Sequence, residues 1–110
     1  MKTSLASVAL TFAALLACSN AHASTCYLSC DHYQDQFDYL CEVNVYPEPA
    51  NPSYTWVLRH NWNVAWGGGS QDSYVVASCS GNAGNCLTFG VRVTVSDGSN
   101  LVCSVQRGSL

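Results

Sequence analysis

Seven cysteines in a chain of 110 residues are the first candidates for chemistry. Cys18 stands in an apolar leader, and Cys26, Cys30, Cys41, Cys79, Cys86 and Cys103 follow it. A thiolate can hold zinc, attack an electrophile or oxidise to a disulfide. Zinc needs two close ligand pairs. Cys26 and Cys30 make one, and no second Cys/Cys or His/His pair at ligand spacing follows. An even set of six in a small exported chain reads instead as three disulfides made in an oxidising compartment. The short loop between Cys79 and Cys86 favours their mutual closure, which leaves Cys103 for Cys26, Cys30 or Cys41.

The titratable residues are less promising. His32 and His60 sit in polar segments, and no G-x-S-x-G elbow accompanies them, so a hydrolase is not expected. Asp31, Asp35 and Asp38 offer hard oxygen ligands, but their spacing is not that of a calcium loop. They read as a solvated acidic connector, and no metal or cofactor is expected. The tryptophans offer more. Trp56 alternates with Tyr54 and Leu58 and reads as core. Trp62 and Trp66 lie in Asn61-Trp62-Asn63-Val64-Ala65-Trp66-Gly67-Gly68-Gly69, a loop-like stretch rich in amides and glycines. Exposed aromatic plates beside amide donors are the chemistry of sugar stacking or of partner anchoring. The competing reading has both indoles closing one end of the core, since tryptophan is seldom left wholly exposed. The candidate binding residues are therefore Trp62, Trp66, Asn61 and Asn63.

The elements that must position these residues are strands. Val91, Val93 and Val95 alternate with Arg92, Thr94 and Ser96, and Leu101, Cys103 and Val105 repeat the period after a turn. A two-residue Asp97-Gly98 turn would set Val95 opposite Asn100. A loop of three or five residues sets Val95 opposite Cys103 and Val93 opposite Val105. A one-residue slip moves a whole apolar set to the other face, so the odd loop is expected, with Gly98 or Asn100 at positive φ. Earlier strands are expected at 25–30, with Cys26, Leu28 and Cys30 on one face, and at 39–46, with Cys41, Val43 and Val45 inward. A third is expected at 53–59. The proline-rich 47–52 separates the last two. Residues 60–72 look irregular. A further strand at 73–80 has either phase open, around Val76 or around Val75 and Ala77.

Residues 5–17 form an apolar run too short to span a bilayer and suited to a signal-peptide core. Ala21-His22-Ala23 fits cleavage before Ser24, while Leu15-Leu16-Ala17-Cys18 resembles a bacterial lipoprotein box that would anchor the chain through Cys18. The expected organisation is a signal peptide at 1–23 and one domain at 24–110. That domain holds three arginines, no lysine and seven carboxylates, for a net charge near −4. Such a surface has no basic footprint for nucleic acid and no polybasic patch for anionic lipid.

Two segments carry a family resemblance. Pro52-Ser53-Tyr54-Thr55-Trp56 and Val91-Arg92-Val93-Thr94-Val95-Ser96-Asp97-Gly98 resemble the Y-x-W strand and closing hairpin of bacterial immunoglobulin-like and PKD-type domains. Two departures stand out. Val57-Leu58-Arg59-His60 replaces the Gly-Asp-Gly turn of PKD-type domains, and Leu101 stands where antibody-like domains have a tyrosine before their second core cysteine. The resemblance implies an all-β, immunoglobulin-like antiparallel sandwich of about seven strands, ending with a strand at 101–107. The expected function is that of a secreted or periplasmic, non-catalytic module recognising a protein or glycan at the cell surface. The alternative is a structural component that self-associates in an envelope or filament, joined through an open sheet edge such as the first or last strand.

Overall fold

Alternating apolar residues build two layers that cover each other. The computed structural model describes residues 24–80 and 83–110. The expected leader, its two candidate processing sites and Cys18 lie outside the described residues. Seven strands follow in order: β1 (Thr25–His32), β2 (Asp38–Tyr46), β3 (Pro52–Leu58), β4 (Trp62–Gly67), β5 (Tyr74–Cys79), β6 (Gly90–Asp97) and β7 (Asn100–Gly108). A 3-10 turn, Ala83–Cys86, lies between β5 and β6. One sheet has the order β1-β2-β5-β4 and the other β3-β6-β7, with antiparallel neighbours throughout.

The core is the set of inward residues that the period picks out. Leu28, Cys41, Val43, Val45 and Val75 face Val91, Val93 and Val95, with Tyr54, Trp56, Leu58, Cys103 and Val105 packed around them. In β5 the open phase resolves toward Val75 and Ala77, although Val76 on the other face is buried too. Along one side of the sandwich the loop between β4 and β5 ties the layers. Val43 N donates to Ser73 O (2.9 Å), Tyr54 N to Ser70 O (2.9 Å) and Trp56 Nε1 to Asp72 O (2.9 Å). Along the other side Cys26 of β1 is bonded to Cys103 of β7. Cys30 and Cys41 face each other across β1 and β2 and are joined, and Cys79 closes on Cys86. The short closure and one of the three options for Cys103 are thus realised. An antibody-like bond between Cys41 and Cys103 is not.

Two expectations change. The final hairpin does set Val95 opposite Cys103 and Val93 opposite Val105, but not through an odd loop. Asp97 pairs with Asn100 around the two-residue tip Gly98-Ser99, and Val102 is an extra residue that shifts the register between Val95 and Ser96. Gly98 takes φ 61°, the positive angle a type II′ turn needs at its first central position. The tip is thus the two-residue turn Gly98-Ser99 and not Asp97-Gly98, and the bulge restores the buried register. Leu101, beyond the bulge, points to solvent at 70% exposure and does not share the face of Cys103. Residues 60–72 are also not irregular throughout: β4 forms there, as the edge strand beside β5.

Candidate functional site

The four sequence candidates do not form one surface. Trp62 and Trp66 both lie on β4, which pairs Val64 with Ala77 and Trp66 with Val76. Ala65 is therefore an extra residue, and it reverses the facing of everything after it. Trp62 points inward at 5% exposure, and Trp66 points outward at 57%. Trp62 Nε1 donates to Thr88 O (2.9 Å), and its ring meets Phe89 edge-on at 4.7 Å. Phe89 stacks on Tyr39 at 4.2 Å, and Tyr39 on His32 at 4.4 Å. This column of rings closes one end of the sandwich, so Trp62 belongs to the core and not to a binding loop. Asn61 is a turn residue with φ 76°, whose carbonyl accepts from Ser80 N (2.9 Å). Asn63 is exposed, and its side-chain amide donates to Ser80 Oγ (2.9 Å).

Trp66 finds other company. Its cross-strand row on the outer face of the four-stranded sheet runs Asp31, Leu40, Val76, Trp66. Tyr33, just past β1, meets Trp66 edge to face at 6.0 Å and 89°. Tyr74 of β5 lies one row over, opposite Glu42, and its ring rests against Gly67. A Cβ at Gly67, where φ is +68°, would come within 2.6 Å of that ring. Three aromatic side chains, all exposed, thus gather on the outward face of one sheet. Sequence reasoning missed Tyr33 and Tyr74. The phase of Tyr74 was open in the sequence, and nothing local says that Tyr33 reaches Trp66 from the loop between β1 and β2.

The charges are unevenly shared. Strands β1, β2, β4 and β5 contain Asp31, Asp38 and Glu42 and no lysine or arginine. The arginines belong to the other layer or its ends. Arg92 is on β6, Arg107 is on β7 with Nη1 donating to Leu28 O (3.2 Å), and Arg59 donates to Ser109 O (2.9 Å). No family model, curated protein or solved structure matches the chain. The site must therefore be read from its own chemistry.

The acidic connector makes local bonds. Asp35 Oδ1 accepts from Phe37 N (2.7 Å), and Asp38 O from Tyr33 N (3.2 Å). Among the described residues no three His, Cys, Asp or Glu side chains gather as a metal cluster. No helix among them is long and apolar enough to cross a membrane. Just before the start of β5 a cleft of about 130 Å³ is lined in part by Asn44, Tyr46, Glu48, Pro49, Tyr54 and Ser73. Burial, and then the charge of Glu48, push the Tyr54 phenol above its ordinary pKa of 10.0.

Proposed function

We propose that residues 24–110 form an immunoglobulin-like, non-catalytic binding module, exported to the periplasm or cell exterior, that recognises a protein or glycan at the cell surface. Four strands against three, in the orders β1-β2-β5-β4 and β3-β6-β7, is the arrangement of a constant-type immunoglobulin domain, which supports the family reading. The covalent tie departs from that pattern, since it joins the first and last strands. Three disulfides fit an oxidising compartment. A leader at residues 1–23, or a lipid anchor at Cys18, is the route we propose.

The observation that carries the binding role is the cluster of Trp66, Tyr33 and Tyr74, exposed together on a sheet face that no other layer covers among the described residues. Burial normally claims large aromatics, so a group of them facing water marks a contact surface. The alternative, copies joined through open edges, has less support. Bulges interrupt the edge strands β4 and β7, and a disulfide clips the edges of β1 and β7 together; bulged, tethered edges are poor templates for strand addition.

The test is binding of fluorescently labelled protein to intact cells of the producing organism. The native sequence should label them, and Trp66→Ala should not, with near-ultraviolet circular dichroism showing the fold intact. Equal labelling by both proteins would discard the surface. Intact mass of the native product separates a start at Ser24 from an acylated start at Cys18.

A further inference from the structure

We infer that the outer face of the four-stranded sheet is a track for an uncharged polysaccharide chain, running diagonally from Trp66 to a second aromatic pair, Tyr27 and Tyr46. The inference rests on the binding-module reading and names its ligand class. Tyr27 and Tyr46 stand on the same outward face, with ring centroids 6.0 Å apart and both more than half exposed. From Leu40, in the row of Trp66, to Tyr46 along β2 is roughly 20 Å at the rise of an extended strand. Tyr74 lies between the two ends, beside Glu42. The two aromatic groups are thus too far apart for one sugar ring and well placed for a chain of several.

The floor between them is hydroxyl, amide and carboxylate: Ser29, Asn44 and Glu42, all exposed. Sugar rings carry C–H faces that meet the negative face of an aromatic ring, and hydroxyls that both donate and accept. This face supplies both kinds of partner in alternation. A protein partner fits it less well, because interface cores are poor in serine, aspartate and glutamate. The absence of any lysine or arginine from β1, β2, β4 and β5, beside three carboxylates, opposes a sulfated or phosphorylated chain. The cleft beside Tyr46, with Asn44, Glu48 and Ser73 on its walls, takes a substituent of the last ring.

The test is an array of immobilised uncharged oligosaccharides, from disaccharide to hexasaccharide, of hexose and of N-acetylhexosamine units, with heparin as the anionic probe. Affinity for at least one uncharged series should climb about tenfold or more with length, and heparin should stay unbound. Trp66→Ala should weaken every length. The double variant Tyr27→Ala/Tyr46→Ala should reduce the hexasaccharide to the level of the short chains and leave the disaccharide unchanged. Silence across the array, affinity independent of length, or preference for heparin would overturn the track. If the array is silent while cell labelling still depends on Trp66, the glycan falls and the binding surface stands. If cell labelling ignores Trp66, the surface itself falls.

Discussion

Trp62 and Trp66 are near neighbours in sequence with opposite fates, and substitution should expose the difference. Trp62→Ala removes an indole that is hydrogen-bonded to Thr88 O and wedged against Phe89 and Tyr39. It should cost about 3–5 kcal/mol, read as a fall in the denaturation midpoint. Trp66→Ala removes a ring that is mostly in water and should stay within ~1 kcal/mol of the native protein. A reversed ranking would mean that Trp66 is covered in the folded protein. Tyr54 supplies a second residue-scale effect. Its raised pKa means that the fold favours the protonated phenol, so that contribution is intact below pH 10.0 and is lost as the pH climbs through the raised value. Denaturation midpoints followed from about pH 9 to about pH 11 should fall, and Tyr54→Phe should make the decline shallower.

At the scale of elements the closing hairpin shows two rules acting at different places. Asp97, Gly98, Ser99 and Asn100 obey turn preference, and the apolar alternation of β6 and β7 obeys burial. One extra residue, Val102, lets both hold. Gly98→Ala should cost about 1 kcal/mol, even though an added Cβ would meet nothing within 4 Å, because the expense is the positive φ alone. Ser99→Ala beside it should be nearly neutral. Equal costs at both positions, measured by urea titration, would contradict the turn geometry. In β4 the bulge at Ala65 does the opposite service. It takes a strand whose alternation would bury both tryptophans and turns the second outward.

For the whole molecule the disulfides matter in proportion to the chain they close. Cys26 and Cys103 are 77 residues apart, Cys30 and Cys41 are 11, and Cys79 and Cys86 are 7. Loop-closure entropy then ranks them at about 4.5, about 2.8 and about 2.4 kcal/mol. Paired Cys→Ala variants should lose stability in that order, with Cys26→Ala/Cys103→Ala the most damaging. The first bond also clips the open side of the sandwich opposite the bridging loop between β4 and β5, so its loss should make β1 and β7 the fastest strands in amide exchange. Uniform exchange across both layers in that variant would argue that the layers need no clip.

Much of this fold was legible from local pattern. β1, β2, β3 and β6 each alternate cleanly, because each buries one face and wets the other. The even set of six cysteines from Cys26 to Cys103 and the closeness of Cys79 to Cys86 carried the disulfide count and one of the pairs. β4 was hidden, since an edge strand with a bulge and a glycine end has no regular period to read. The outward gathering of Trp66, Tyr33 and Tyr74 was hidden for the same reason. Composition and period determined that this chain makes two covered sheets. Which side of a sheet a ring occupies past a bulge, which distant cysteine Cys103 meets, and that Tyr33 reaches Trp66 were decided only by hydrogen-bond ladders and packing between segments far apart in the chain.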